Sequence, residues 1–191
     1  MIPELGHFAL WLALGVALVL GVVPLVGAQK GRADWMALAR PLTVAQFVFV
    51  ALAYAALTYA FVQDDFSVLY VASNSNSELP LAYRFAAVWG GHEGSLLLWL
   101  MMLCVWQLAV AKFSAHLPMP VLARILSVMG LVAVGFLLFT LATSNPFDRL
   151  IPAAQEGRDL NPLLQDPGMV FHPPMLYMGY VGFSVAFAFA V

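Results

Sequence analysis

The sequence contains little charge, since only 9% of its 191 residues are Asp, Glu, Lys or Arg, whereas 63% are hydrophobic. The charged residues form short clusters, and the neutral stretches between them have the roughly 17–25 residues that a helix needs to cross a bilayer. A water-soluble globular domain is therefore excluded. We expect an all-α integral membrane protein whose five spanning helices are, approximately, residues 5–29, 41–63, 89–111, 125–147 and 169–191.

Cysteine is also scarce, because Cys104 is the only one in the chain. A lone cysteine in the middle of a predicted spanning helix excludes an internal disulfide and a CxxC redox pair. The net charge of −2 is small and scattered, so no nucleic-acid partner is expected. The partner that this composition does require is membrane lipid.

Basic residues concentrate in the two loops that follow the first and third predicted helices: Lys30, Arg32, Arg40, Lys112 and Arg124. Short cytoplasmic loops carry the excess of lysine and arginine, so these two loops are predicted to be cytoplasmic. The N-terminus and residues 64–91 and 148–168 would then face outside. We expect the last two to form ordered outer loops, with residues 66–71 extended and residues 73–77 in turns.

The first predicted helix repeats a small residue at every fourth position: Ala9, Ala13, Ala17 and Gly21. Such a row gives a flat face that another helix can approach closely. The pattern indicates a packed bundle, and we treat residues 1–191 as a single polytopic membrane domain.

His172 is the histidine best placed for chemistry. Proline is tolerated in the first turn of a helix, so Pro173 and Pro174 could begin the last helix with His172 at or near its N-cap. An imidazole at the membrane rim can ligate a metal or haem iron, accept a proton, or remain a polar residue at the headgroup level. Because no second histidine or cysteine lies nearby at a zinc-like spacing, haem fits better than a tetrahedral metal site.

A second group of candidates lies around the start of the third predicted helix, where Trp89, His92 and Glu93 precede Trp99. The spacing of seven residues places His92 and Trp99 on one helical face, which could hold a flat aromatic ligand beneath the histidine. Trp89 would lie at the interface. The alternative is that the tryptophans only pack against other helices, and that His92 and Glu93 are solvated residues at the membrane edge.

Five segments of the chain, in this order, resemble the N-terminal part of the CcmF family. They are Val-Ala-Ser-Asn-Ser-Asn at 71–76, Trp-Gly-Gly-His-Glu-Gly-Ser-Leu-Leu-Leu-Trp at 89–99, Thr-Ser-Asn-Pro-Phe at 143–147, the segment 157–168, and Phe-His-Pro-Pro at 171–174. The family is the haem-handling subunit of the cytochrome c haem lyase in cytochrome c maturation. The resemblance covers essentially the whole chain.

The resemblance implies a multi-pass protein of the bacterial inner membrane with its N-terminus in the periplasm. It would accept haem from the chaperone CcmE on the periplasmic side for covalent attachment to apocytochrome c. The implied partners also include assembly subunits of the CcmH and CcmI types. His172 matches the first of two outward histidines that ligate haem iron in this family, and Trp89, His92 and Trp99 are further candidates for contacting the haem.

The chain departs from the full family pattern in three respects. It lacks the tryptophan-rich segment, the second outward histidine and a ligand for the family's membrane haem b. We therefore expect an N-terminal part of a larger protein, or a split subunit, whose haem site and enzyme activity are incomplete in this chain alone.

Two other functions compete with haem handling. A proton- or ion-translocating subunit could use His92 and Glu93 as a relay, although no carboxylate or lysine falls in the middle of a predicted helix. A purely structural subunit would leave the two outer loops unexplained.

Overall fold

The protein is all-α in the computed structural model, which describes the backbone of residues 1–191 and every side chain except that of residue 169. In chain order the helices are α1 (Ile2–Lys30), α2 (Ala33–Met36), α3 (Ala39–Val62), α4 (Leu69–Asn74), α5 (Leu81–Ala87), α6 (His92–Phe113), α7 (Met119–Thr143) and α8 (Pro167–Ala190). Over this described chain, five segments are long and apolar enough to span a membrane: Ile2–Lys30, Ala33–Val62, His92–Phe113, Met119–Thr143 and Val170–Ala190. The prediction of five spanning helices is confirmed.

The observed helix ends differ from the ends of the uncharged runs. The fourth spanning helix begins at Met119 and ends at Thr143, six and four residues before the predicted limits. Arg124 therefore lies in the second turn of α7, at the helix end where a charged side chain can still reach water. The helix begins directly after Pro118 and ends directly before Ser144, so its limits are not those of the uncharged run.

Helix α1 packs between α3 and α7. The predicted row of small residues lines its buried faces, since Ala9, Ala13, Ala17 and Gly21 are all buried. At Gly21 a Cβ atom would lie 2.7 Å from the side chain of Leu131 in α7. The close approach that the sequence predicted is therefore present, and a larger residue at position 21 would have to displace the side chain of Leu131.

Helix α8 lies at the edge of the bundle and packs on one side against α6 and α7. Only 6% of its most apolar 18-residue window is buried. Most of its surface is therefore available to lipid or to further protein.

The first outer loop contains two short helices, α4 and α5. The prediction that residues 66–71 are extended is wrong from Leu69 onward, and Val68 alone forms an antiparallel bridge, with Arg149 of the second loop. The side chain of Asn74 donates a hydrogen bond of 2.9 Å to the carbonyl of Tyr70 and so closes the α4 turn. These contacts stabilise a helix too short to form by itself.

Candidate functional site

The two outer loops form one surface at the end of the bundle where α6 and α8 begin. The backbone N–H of Leu69 donates a 2.8 Å hydrogen bond to the carbonyl of Asp148, which joins the loops directly. The prediction that residues 64–91 and 148–168 lie on the same side of the membrane is confirmed by such contacts.

Side chains also join or brace these loops. The N–H and hydroxyl of Ser77 donate hydrogen bonds of 3.0 and 2.6 Å to the carboxylate of Glu156, and they lower the pKa of that carboxyl. Within the first loop, Arg84 forms an ion pair with Asp64 and donates a 2.8 Å hydrogen bond to the carbonyl of Leu79. The surface is therefore fixed by charge-assisted hydrogen bonds as well as backbone ones.

A small polar cavity of about 190 Å³ opens into this surface. Its polar lining comes from three separate stretches of the chain: Tyr70, Ser73, Asn74, Glu93, Thr143, Ser144, Asn145 and Asp148. Three of the segments that carried the family resemblance thus meet around one cavity. Sequence reasoning missed this arrangement, because no periodicity relates residues that are some 70 positions apart.

Tyr70 fixes the entrance of α6 beside the cavity. Its hydroxyl donates to the carbonyl of Val88 at 3.1 Å and accepts from the N–H of Gly91 at 2.9 Å. Burial raises the pKa of Tyr70 further above neutral, and the protonated hydroxyl can both donate and accept a hydrogen bond. A Cβ atom at Gly94 would lie 1.7 Å from the carbonyl of Val88, so this close approach requires glycine.

Glu93 lines the same cavity, and the neighbouring His92 contacts Ser144 of its lining. The Nδ1 atom of His92 lies 3.2 Å from the hydroxyl of Ser144, and its ring meets Phe139 edge-on at 6.1 Å between centroids. Glu93 is half-buried and lines the cavity among hydroxyl and amide groups. Neither residue is an isolated charge facing hydrocarbon, which would be costly.

Trp99 packs between two helices. Its ring centroid lies 5.6 Å from that of Phe136 in α7 and 5.5 Å from that of Tyr177 in α8. Two helical turns further along α6, the indole N–H of Trp106 donates a 3.0 Å hydrogen bond to the carbonyl of Met178 in α8. These contacts are the ones expected if the tryptophans only pack against other helices. A direct contact of Trp99 with haem stays a prediction.

Trp89 lies in the turn before α6 and is half-buried. A Cβ atom at the neighbouring Gly90 would lie 3.1 Å from Leu160 and 3.2 Å from Leu164, so this turn packs against the second outer loop. The indole nitrogen of Trp89 is buried and finds no hydrogen-bond partner within the described part of the chain.

His172 is not an N-cap, and the prediction that Pro173 and Pro174 begin the helix is wrong. Helix α8 begins at Pro167, and the carboxylate of Asp166 caps it by accepting a 2.7 Å hydrogen bond from the N–H of Gly168. An acidic cap followed by proline at the first helical position is itself a strong start signal. His172 therefore projects from the second turn of α8.

The imidazole of His172 is exposed, and an exposed apolar row continues from it along α8. By helical geometry, Leu176, Gly179 and Phe183 lie within about 40° of His172 around the axis. Phe183 is 71% exposed, and a Cβ atom at Gly179 would meet no other atom within 4 Å. We call His172, Leu176, Gly179 and Phe183 the His172 row.

The His172 row and the tryptophan contacts lie on different sides of α8. Tyr177, which meets Trp99, is about 140° away from His172 around the helix axis. The structure therefore does not place Trp99 beneath the exposed imidazole. It does provide a histidine ring nitrogen above an apolar surface with a glycine gap, which fits the iron and the flat face of a haem.

Known proteins resemble this chain over its whole length. The family model described as "Cytochrome C assembly protein" matches residues 89–191. The chain is 63% identical to the cytochrome c-type biogenesis protein CcmF of Pseudomonas aeruginosa and 59% identical to that of Escherichia coli, over 100% of its own length. It spans 29% and 30% of those two relatives.

A solved structure described as "Cytochrome c Heme Lyase CcmF" superposes on the whole chain with a TM-score of 0.85 at 26% identity, and the chain covers 30% of it. The resemblance inferred from the five sequence segments is confirmed. The match to the family model extends over more than half of the chain and includes α6, α7, the second outer loop and α8. The chain belongs to the cytochrome c assembly protein family.

Proposed function

We propose that this chain is part of the cytochrome c haem lyase and that His172 supplies an axial ligand to the haem iron. The proposal rests on one observation above the others. His172 is an exposed imidazole on a spanning helix, at the end of the bundle that carries both outer loops. Family membership supports haem as the group that such a ligand would hold.

The His172 row supports haem more than a bare metal ion. A haem needs an axial nitrogen together with an apolar surface for the macrocycle. Leu176 and Phe183 supply apolar surface below the imidazole, and Gly179 leaves room between them. The capped helix start at Asp166 fixes the beginning of the helix that carries the imidazole.

The finer assignments follow from the resemblance. Haem would come from the chaperone CcmE on the periplasmic side, and CcmH-type and CcmI-type subunits would present apocytochrome c. The role of the chain is to bind and orient the haem, while thioether formation uses the thiols of apocytochrome c. The second axial ligand and the haem b site would be supplied from outside these 191 residues.

Substitution of His172 tests the ligand in the complete system. The His172→Ala variant should reduce the yield of holocytochrome c to near zero, because the iron loses an axial ligand while an exposed side chain contributes little to folding. His116→Ala is the matched control, since His116 is also exposed but lies at the opposite end of the bundle. A wild-type yield from His172→Ala without added imidazole would refute the ligand role.

A second variant tests the apolar surface rather than the ligand. Gly179→Leu should lower haem capture by filling the gap in the His172 row while leaving the imidazole intact. Gly15→Leu is the control, because Gly15 in α1 also has open space around it. Equal haem capture by the two variants would show that the macrocycle does not lie on α8.

A further inference from the structure

The end of the bundle opposite the outer loops carries a surplus of positive charge. Five basic residues lie there with one acidic residue, Asp34. The guanidinium of Arg32 donates two hydrogen bonds, of 3.0 and 2.6 Å, to the carboxylate of Asp34. Across the described side chains, the other four basic residues form no ion pair and are exposed: Lys30, Arg40, Lys112 and Arg124.

A pocket of about 360 Å³ opens at this same end. One wall is formed by Met36 of α2 and the first turn of α3, and the other by Leu117 and by Met119 and Leu122 of α7. Arg40 is the charged residue of the lining. The pocket therefore combines one guanidinium with apolar walls.

The position of the pocket along the helices sets its depth in the membrane. Arg40 is the second residue of α3, and Met119 is the first residue of α7. Both lie near the end of a spanning segment, where a long basic side chain can reach the phosphate groups of the adjacent leaflet. An amphiphile in the pocket would have its head at Arg40 and its tail beside the apolar walls.

We propose that this pocket binds one anionic phospholipid, with its phosphate against Arg40 and an acyl chain between α2 and the start of α7. Charge complementarity favours an anionic headgroup, since Arg40 lines the pocket without an ion-pair partner among the described side chains and an arginine can donate two parallel hydrogen bonds to a phosphate. The apolar walls favour a lipid over a soluble anion. The site depends neither on haem binding nor on which leaflet this end faces.

The competing explanation is that the basic residues only attract the anionic membrane surface in a diffuse way. Lys30 separates the two explanations, because it lies at the same end and is exposed but does not line the pocket. Diffuse attraction is weakened by salt and depends equally on Lys30 and Arg40. If the pocket binds one lipid specifically, the affinity for that lipid depends on Arg40 far more than on Lys30.

The test is native mass spectrometry of the full-length protein titrated with phosphatidylglycerol or phosphatidylcholine at about 0.3 M salt, where charges more than roughly 6 Å apart are screened. One phosphatidylglycerol should be retained in preference to phosphatidylcholine. Arg40→Gln should weaken that binding about tenfold, as expected for a hydrogen bond to a charged group, and Lys30→Gln by less than about twofold. Equal losses in the two variants, or no preference for phosphatidylglycerol, would overturn the proposal.

A variant that keeps every charge provides an independent check. Ala115→Leu narrows the pocket at an exposed position in its wall, so it should reduce phosphatidylglycerol binding without affecting folding. Unchanged binding in Ala115→Leu would show that no acyl chain enters the pocket. Inorganic phosphate should not compete, and full competition would show that the site binds a free anion instead of a lipid.

Discussion

At the scale of single residues, the entrance to α6 depends on atoms that a side chain would displace. Gly94 lies against the carbonyl of Val88 and the hydroxyl of Tyr70, and an added Cβ atom would come within 1.7 and 2.7 Å of them. The first distance involves backbone, which cannot move without shifting the turn that carries His92 and Glu93. Gly94 is therefore required by packing at the outer surface.

We predict that Gly94→Ala lowers the melting temperature of the detergent-purified protein by roughly 5–10 °C, because overpacking of this kind costs about 2–3 kcal/mol. Gly135→Ala in α7 is the control, since a Cβ atom there meets open space. It should leave the melting temperature unchanged or raise it slightly, as alanine is the better helix former. Similar melting temperatures for the two variants would contradict the close approach at Gly94.

The sequence predicted some residue roles and missed others for physical reasons. His172 is exposed at the outer end, as a polar residue beside a spanning segment should be. Its position in the second turn was missed, because two pairs of residues could each begin the helix. Pro173 and Pro174 fit a first turn, whereas Asp166 and Pro167 are the actual start. The contact of Trp99 with Tyr177 depends on how α6 and α8 pack, which no spacing within one helix reveals.

At the scale of elements, Arg149 connects the N-terminal end of α1 to both outer loops. Its Nε atom donates a 2.8 Å hydrogen bond to Glu4, and a second guanidinium nitrogen lies 3.6 Å from Asp65. The side chain also donates to the hydroxyl of Ser67. These partners are partly exposed, so each ion pair is screened by solvent and contributes modestly.

We predict that Arg149→Gln increases hydrogen exchange at the backbone amides of Leu69 and Leu150 by about fivefold, which corresponds to about 1 kcal/mol of local opening. Both amides bond across the two loops, so they report the connection directly. Arg158→Gln is the control, because the Arg158 side chain is exposed and makes no hydrogen bond in the described part of the chain. Equal exchange in both variants would show that Arg149 does not hold the loops together.

The spanning helices were predictable and the short ones were not. Charge is rare at the centre of a bilayer, so the uncharged runs locate the ends of α1, α3, α6, α7 and α8 to within six residues. Helix α4 has six residues and is marginal by itself. It forms because Asp148, far along the chain, accepts a hydrogen bond at its start.

At the scale of the whole molecule, the outer loops share one end and the basic residues cluster at the other. The polar cavity follows from this arrangement, since its lining comes from loops that only the folded bundle brings together. The composition predicts the bundle and its basic end. It cannot predict the cavity, because that requires the positions of helices relative to one another.

The orientation of the molecule can be tested with single cysteines in a Cys104→Ala background. Glu78→Cys and Gln155→Cys, both at exposed positions of the outer loops, should react with a membrane-impermeant maleimide added to the periplasmic side of intact cells. Ala115→Cys, which is exposed at the basic end, should react only after the membrane is opened. Protection of both loop cysteines with labelling at position 115 would reverse the proposed orientation.

The central claim, that His172 ligates haem iron, is tested most directly by the optical and resonance Raman spectra of the full-length protein titrated with haem. Wild-type protein and His116→Ala should give the same spectrum, with an imidazole bound to the iron. His172→Ala should lose that signature and the tight binding, and added imidazole should restore the signature by filling the vacant axial position. An unchanged spectrum and affinity in His172→Ala would contradict the account.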